Sequence, residues 1–382
     1  MKGAEIPLMA ADSEVEFRRE ALPPLPALEH DWRLLEAASR PSFFISWQWI
    51  GTLLDVLPPE SRPGLLRGCA HGETVALALL GANGSRRRRG LVRSRSLHLN
   101  ETGDTRFDSL TIEHNAILSG PAFERLAWDG LLAWFAGICD EADELYFAGS
   151  RLRLPESTVE GRGLLRSETV VPSYSLDLRF LEQSGGELHT VLSANARQQL
   201  RRAMRHFERF GPLQLQQPKT EAEAGRFFTA MKELHCASWG RRGNAHSFTN
   251  PFFEPFHRRL IERSFAEGGI QLLRACAGDR VIGYLYNFRL GNHIYAYQSG
   301  FDDADRREQP GFVTHALAIR HAFASGACVY DFMAGRNRLK ERLATQCEPM
   351  LWQVIQQPRF VFRMEDFGRR MKRAIGPFLK PV

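Results

Sequence analysis

The chain has 382 residues, which is more than one hydrophobic core usually serves, so we expect two domains. Hydrophobic residues make up 43% of it and charged residues 25%, as in an ordinary globular protein. The net charge of +6 is mild and suits an anionic small ligand, an RNA end or an anionic surface without selecting among them.

Cysteine spacing and apolar runs indicate a cytoplasmic protein. The six cysteines form no CxxC or zinc-ligand spacing, so we expect a reducing compartment rather than a disulfide framework. The longest apolar runs, such as LLAWFAGIC (131–139), are too short to cross a bilayer, and no signal peptide is visible. We therefore expect no transmembrane segment.

The first half of the chain predicts helices around a group of short strands. Residues 1–27 contain the Pro-rich run ALPPLPA and predict a loose leader. The elements predicted after it are helices at 30–38 and 45–57, strands at 65–70, 74–80, 91–99 and 107–112, a helix at 121–141 and a strand at 144–150. Residues 153–163 are interpreted as a passage between domains.

The second half predicts a similar alternation. Gly-Asp and Gly-Asn turns separate three apolar runs and are strong hairpin signals. The predicted elements are helices at 193–211 and 221–239, strands at 270–277, 280–290 and 293–301, a helix at 310–326, a strand at 328–335, a basic segment at 336–345, a strand at 352–357 and an amphipathic helix at 367–379.

The two halves share one order of elements. In each, an antiparallel meander leads to a helix and then to a strand with an Ala-Gly step, ELYFAGS in the first half and CVYDFMAG in the second. This order favours a tandem duplication, with chance as the alternative because helix-strand-Gly is common.

The second half resembles a known group of proteins. The stretches GYLYNFRLGNHIYAYQSGFD, PGFVTHALAIRHAFASGA and YDFMAGRNRLKERLAT are similar to the C-terminal half of CelD-type cellulose-biosynthesis proteins of the GNAT superfamily, over roughly residues 175–355. They are distantly similar to the FemAB peptidyltransferases. The resemblance implies an α/β fold of two tandem GNAT-like domains, at 28–165 and 166–382, each a mostly antiparallel sheet flanked by helices.

The strand and basic segment near residue 331 carry most of the resemblance. Tyr330, Asp331, Phe332, Gly335 and Lys340 fit the group's pattern. The sequence departs from that pattern where Leu339 replaces the usual Tyr and where RREQPGF carries a single glycine in place of a glycine-rich phosphate loop.

The resemblance implies that acetyl-CoA or another acyl-CoA lies between the strands at 293–301 and 328–335. Backbone N–H groups at a helix N-terminus can hold a pyrophosphate, and a glycine allows its close approach. We assign Gly311, Phe312, Arg336 and Gln298 to donor binding. The alternative for the helix start is an ordinary Pro-Gly turn.

Three residues are candidates for the acyl-transfer chemistry. Asp331 would act as a base or orienter, Lys340 as an oxyanion or phosphate contact, and Tyr297 as an acid that protonates the leaving thiolate. Alternation predicts that Tyr297 and Gln298 face opposite sides of their strand. The alternatives are a salt bridge from Asp331 to a nearby cation, a solvated lysine and a packed tyrosine.

Histidines are the residues to consider for an acceptor pocket and for a metal site. His235 and Trp239 lie four apart on one predicted helix and could line an acceptor pocket for a sugar or peptide, or simply pack together. His315 and His321 have no third ligand at metal spacing, so we expect no metal.

Three basic segments leave anionic partners open. They are an arginine stripe (197, 201, 205, 209), the run RRRR at 86–89 and the C-terminal helix at 367–379. We interpret the first as a solvated helix face rather than an RNA contact, and the second as an exposed hairpin tip. For the third we favour packing on its domain over a peripheral membrane contact.

The resulting functional hypothesis is an N- or O-acyltransferase. It would move an acyl group from acyl-CoA to an amine or hydroxyl of a small molecule or glycan precursor and, by resemblance, act in exopolysaccharide or cellulose production. The alternatives are an aminoacyl-tRNA-dependent transferase of FemAB type and a non-catalytic accessory protein. Nucleic acid is not the expected partner.

Overall fold

The structure is a computed structural model that describes residues 14–87, 92–240 and 246–375. They form two compact units: unit 1 comprises the chain up to Val170 and from Leu351 onward, and unit 2 comprises Val171–Met350. In the described part of the chain, every helix is too short or too polar to cross a bilayer.

Among its described residues, unit 1 has a sheet and five α-helices. Its strands are β1 (Glu16–Glu20), β2 (Gly64–Ala70), β3 (Glu73–Arg87), β4 (Val92–Leu99), β5 (Leu118–Ser119) and β6 (Glu144–Ser150). Its helices are α1 (Leu25–Ala37), α2 (Trp47–Val56), α3 (Glu124–Gly137), α4 (Glu156–Glu160) and, at the far end of the chain, α10 (Phe360–Ile375).

The described part of unit 2 also combines a sheet with five α-helices. Its strands are β8 (Leu213–Gln216), β9 (Ile270–Ala277), β10 (Arg280–Leu290), β11 (His293–Phe301) and β12 (Val329–Ala334), and two more strands, β7 (Leu165–Asp177) and β13 (Gln346–Gln356), pass from one unit into the other. Its helices are α5 (Ala194–Glu208), α6 (Glu221–Gly240), α7 (Phe253–Ser264), α8 (Pro310–Ala324) and α9 (Arg338–Leu343).

The sheets of both units follow one topology. In unit 1 the order is β1-β2-β3-β4-β6, closed by the last residues of β13; in unit 2 it is β7-β12-β11-β10-β9-β8. Neighbours are antiparallel except for β4 with β6 and β11 with β12. Parallel neighbours need a crossover, which α3 and α8 supply. The predicted fold class, an α/β fold with mostly antiparallel sheets flanked by helices, is confirmed.

The faces of the unit 2 sheet separate two groups of helices. Leu285 faces the core formed with α5 and α8, where Phe207 and Phe312 are buried. Its neighbour Tyr286 faces the other side and meets Phe228 of α6, because successive side chains of a strand alternate. This division decides which helix each residue of β11 can contact.

The sequence did not predict every element. The predicted strand at 107–112 is wrong: residues 108–110 form a 3-10 turn, because the Asp108 carboxylate accepts the backbone N–H groups of Thr102 and Gly103. Helix α7 and strand β8 were not predicted, and β1 lies within the predicted leader. Within the predicted basic tip at 86–89, residues 88 and 89 lie outside the described residues.

The compact units differ from the predicted domains at the C-terminus. Residues 351–382 belong to unit 1, whereas the sequence assigns them to a domain at 166–382. The reason is that β13 runs out of unit 2, and Leu351 onward pairs with β6. Units defined by contacts and domains defined by ancestry need not coincide, and the domain bounds stay a prediction.

Candidate functional site

A gap between β11 and β12 is the central feature of unit 2. The two parallel strands pair at His293 with Val329, at Ile294 with Tyr330 and at Tyr295 with Asp331. This ladder ends there, although β11 runs on to Phe301 and β12 to Ala334. The rest of the two strands can therefore line an opening at the middle of the sheet.

A β-bulge lies on β11 just beyond the last of these pairs. Tyr286 of β10 is opposite Gln298, but the next residue, Asn287, is opposite Ala296. Tyr297 is thus the extra residue, and such bulges bend a strand and re-aim its side chains, often next to active sites. A bulge cannot be read from an alternating sequence.

The bulge turns Tyr297 and Gln298 toward the same group of helices. The Tyr297 ring packs 5.1 Å from His257 of α7 and 4.6 Å from Phe288, measured between ring centroids. The Gln298 amide lies 3.4 Å from the hydroxyl of Ser247, in the segment between α6 and α7. The predicted opposite faces for these two residues are wrong, because the extra residue breaks the period of two.

Asp331 lies at the point where the strands part. Its side chain is buried, with 1% exposed, and its carboxylate accepts the backbone N–H of Met333 at 2.7 Å. The second carboxylate oxygen lies 3.5 Å from Nε2 of His293 on β11. The carboxylate is therefore fixed at the closed end of the gap, with an imidazole beside it.

The cations after β12 have separate partners. Lys340 on α9 donates from Nζ to the carbonyl oxygens of Ala334 and Met333, at 2.7 and 3.2 Å. The exposed Arg336 pairs with Glu341 at 2.7 Å, which raises the pKa of its guanidinium. Lys340 thus holds the end of β12, while Arg336 extends into solvent.

The N-terminus of α8 holds both a predicted and an unpredicted feature. A Cβ at Gly311 would lie 3.1 Å from the Phe301 ring, so this glycine lets α8 pack against the end of β11. The side chain of Phe312 is buried, and its backbone N–H donates to the Gln309 carbonyl at 2.9 Å. Arg342 donates to the Gln309 side chain at 2.7 Å and lies over the Phe312 ring.

The sequence analysis assigned no role to Arg342, which lies in the basic segment at 336–345. Burial, and then the charge of Arg338, lower the pKa of its guanidinium. Its position beside α8 depends on a contact 33 residues away, which no local pattern indicates. The first turn of α8 has no acidic residue.

His235 and Trp239 lie together on α6, as their spacing of four residues predicts, and their role in an acceptor pocket stays a prediction. The His235 ring stacks on Trp239 with 5.7 Å between centroids. Its Nδ1 lies 2.9 Å from the Ser299 carbonyl of β11, and His246 and Phe248 complete an aromatic group around it. The pair therefore borders the same half of β11 as Gln298.

Buried histidines on both faces of the sheet were not predicted. His257 Nδ1 lies 3.2 Å from the Tyr286 hydroxyl, and burial lowers the pKa of its imidazole well below the usual range. On the other face, His315 Nδ1 lies 3.1 Å from the Tyr330 hydroxyl. Burial, and then the charge of Lys340, lower the pKa of His315 to about 3.

A metal centre finds no support in this geometry. In residues 14–87, 92–240 and 246–375, no three His, Cys, Asp or Glu side chains converge as a metal site. The expectation that no metal is bound stays a prediction.

Comparison with known proteins identifies the fold of this region. Residues 194–341 match the family model described as an acetyltransferase (GNAT) domain. The match covers less than half of the chain, lies within unit 2 and includes β11, β12 and α8. Unit 2 therefore has a GNAT-type acyltransferase fold.

Two solved structures extend the likeness to most of the chain. FemX is similar over 91% of this chain and 99% of its own, with 8% identity and a TM-score of 0.58. The C-terminal DUF2156 domain of a protein from Agrobacterium fabrum, named after lysylphosphatidylglycerol synthetase, is similar over 92% of this chain and 96% of its own, with 10% identity and a TM-score of 0.55. At such identity these likenesses concern the fold alone.

No match is found among curated proteins. The resemblance to CelD-type proteins is not tested by these comparisons and stays a prediction.

Proposed function

We propose that unit 2 is an acyltransferase that moves an acyl group from an acyl-CoA thioester to an amine or hydroxyl. The observation that carries the proposal is the parting of β11 from β12 after only three residue pairs, in a region that matches a GNAT domain. An extended thioester can take the place of the missing strand pairing and expose its carbonyl in the middle of the sheet.

The donor's phosphates would bind at the N-terminus of α8. A helix N-terminus attracts anions through its unpaired N–H groups and its dipole. Pro310 removes one donor, but Arg342 supplies a fixed guanidinium beside the first turn. An anion there would also relieve the repulsion between Arg342 and Arg338. Gly311 keeps its proposed role through its backbone, whereas the Phe312 N–H already donates to the Gln309 carbonyl, so Phe312 would support the site by packing.

The chemistry at the thioester would use the residues at the gap. A neutral amine or hydroxyl attacks the thioester carbon, the new C–N or C–O bond forms, and the C–S bond breaks. Asp331, directly or through His293, would take the proton from the acceptor, and the Tyr297 hydroxyl would return a proton to the CoA thiolate. Lys340 would hold the end of β12 in position beside the thioester through the Met333 and Ala334 carbonyls.

The acceptor would enter beside α6. His235 and Trp239 offer a ring platform next to Gln298, which suits a sugar or a small amine. A glycan precursor, and with it exopolysaccharide or cellulose production, rests on resemblance to CelD-type proteins. The cytoplasmic location that access to acyl-CoA requires stays a prediction.

One observation favours an aminoacyl-tRNA as the donor instead. Arg201, Arg202 and Arg205 are exposed along α5 and Arg209 directly after it, whereas Arg197 is half-buried and donates to the His189 carbonyl. Such a face could meet RNA phosphates, and binding would then weaken steeply with salt. We place the aminoacyl-tRNA donor second, because a CoA thioester suits the gap and the N-terminus of α8 without any contact to the arginines of α5.

The test is acyl transfer by the full chain. Acetyl-CoA and longer acyl-CoAs are incubated with amines and amino sugars, and CoA release is followed by chromatography, because the exposed Cys139 and Cys347 would react with thiol reagents. We expect acceptor-dependent release that falls at least about 100-fold in Asp331→Asn. Tyr297→Phe should also slow CoA release, because the proposed acid is lost. Its control is Tyr146→Phe in unit 1, which should leave the rate unchanged.

Each other result points to a different function. Transfer only from aminoacyl-tRNA, abolished by replacing the α5 arginines with glutamine, would support the second candidate. No turnover with any donor would leave the accessory protein as the remaining hypothesis.

A further inference from the structure

Helix α10 exposes an apolar stripe. Phe360, Met364, Phe367 and Met371 follow one another at spacings of four, three and four residues, which places them on one helix face. Their exposed fractions are 80%, 54%, 60% and 44%, and they make up half of the large hydrophobic residues described as exposed. Single exposed apolar side chains are common, whereas an aligned set of four marks an interaction surface.

The opposite face of the same helix attaches it to unit 1. Phe362 is fully buried, and the Arg369 guanidinium lies 3.3 Å from both the Gln356 side chain and the Asp366 carboxylate. Folding of unit 1 therefore explains one face of α10 but not the stripe. Within the predicted helix at 367–379, Arg369 does contact unit 1, whereas Phe367 and Met371 are exposed; residues 376–379 lie outside the described residues.

The charge around the stripe is strongly positive. Helix α10 contains five Arg or Lys residues and two acidic residues, a net charge of +3. Arg363 is exposed. It lies three residues after Phe360 and four before Phe367, so it is next to the stripe on the helix surface. An apolar face with Phe, bordered by cations, is the pattern of a helix that lies in the plane of a membrane interface.

We propose that α10 docks the protein on an anionic lipid surface. The four side chains of the stripe enter the boundary between headgroups and acyl chains, and the neighbouring cations attract the anionic headgroups. A second copy of the chain is a less suitable occupant, because two such helices would each bring a net charge of +3. Nucleic acid would satisfy the cations but leave the stripe in water. The proposal does not depend on the acyltransferase reaction.

The test is flotation of the full chain with vesicles of phosphatidylcholine, alone or mixed with phosphatidylglycerol. We expect binding to the mixed vesicles and little to phosphatidylcholine alone. Replacing both phenylalanines of the stripe (Phe360→Ser with Phe367→Ser) should lower the partition coefficient at least about tenfold, because two large apolar side chains no longer enter the lipid. Arg363→Glu should lower it about fivefold or more, and only with anionic lipid.

The matched control is Phe180→Ser, which removes a phenylalanine of similar exposure, 58%, from unit 2. It should leave vesicle binding unchanged, and circular dichroism checks that every variant is folded. Equal binding to both lipids, no binding, or undiminished binding by the double variant would overturn the proposal. So would light scattering that shows a dimer which the double variant separates, since the stripe would then face a second copy.

Discussion

The ammonium group of Lys340 lies 2.7 Å from the carbonyl oxygen of Ala334, and it also reaches the carbonyl of Met333. Met333 has a φ of +67°, a left-handed conformation that is uncommon for a residue with a side chain. The pairing of β12 with β7 shifts register at this point. Lys340 therefore holds the carbonyl groups of Met333 and Ala334 at the end of β12, beside the gap.

We predict that Lys340→Met lowers the free energy of unfolding by about 1–2 kcal/mol, because two carbonyl acceptors lose a charged donor. Urea unfolding measures this. Lys232→Met is the control: it removes a partly exposed ion pair with Glu254, so its cost should be below about 1 kcal/mol. If the two variants lose the same stability, Lys340 does not hold the end of β12.

Asp331 should have a structural and a chemical role that substitution can separate. Asp331→Asn keeps an oxygen for the Met333 N–H and should cost about 1 kcal/mol or less, whereas Asp331→Ala leaves that buried N–H unpaired and should cost about 2 kcal/mol. Both should abolish acyl transfer, because neither can accept a proton. An active, stable Asp331→Asn variant would show that the carboxylate only anchors β12.

Gly311 tests whether the α8 N-terminus meets a ligand. Its Cβ would make a tight contact with Phe301, but alanine favours a helix by up to about 1 kcal/mol, so Gly311→Ala should change stability by no more than about 1 kcal/mol. It should weaken CoA binding, since the new methyl group limits close approach of a phosphate. Unchanged CoA affinity would mean that this glycine serves packing alone.

His315 should make stability depend on pH. Its pKa is about 3 in the folded protein and near 6.5 in the unfolded chain, so between these values the unfolded state binds the extra proton. Stability is therefore fully present above about pH 6.5 and falls as the pH drops, by up to about 1.4 kcal/mol per pH unit from this group.

The comparison protein is His315→Gln, which has no proton to bind. Urea unfolding of both proteins at about pH 7 and about pH 5 isolates the histidine, because the carboxylates titrate alike in each. The wild type should lose more stability than the variant. Parallel pH profiles would contradict a neutral, buried His315.

The sequence predicts what depends on local pattern. The hairpins β9-β10-β11 lie where the Gly-Asp and Gly-Asn turns indicate, and the gap between 293–301 and 328–335 was expected by resemblance. Features that depend on distant contacts were not predictable. The bulge at Tyr297 follows from pairing with β10, and Arg342 reaches α8 through Gln309, far away in the chain.

The site residues divide in the same way. His235 and Trp239 are neighbours as i, i+4 spacing predicts. The partner of Asp331 was expected among the cations that follow it, yet His293 lies beside it, because parallel pairing brings the start of β11 to β12.

The central claim is that a CoA thioester occupies unit 2 at the N-terminus of α8. Calorimetric titration of the full chain with acetyl-CoA, longer acyl-CoAs and free CoA tests it most directly. We predict saturable binding below about 1 mM that Arg342→Gln weakens about tenfold or more. Arg336→Gln measures the predicted role of that exposed cation, and Arg259→Gln, which affects an exposed pair on α7, should change nothing. No binding of any CoA species, or equal affinity in Arg342→Gln, would contradict the account.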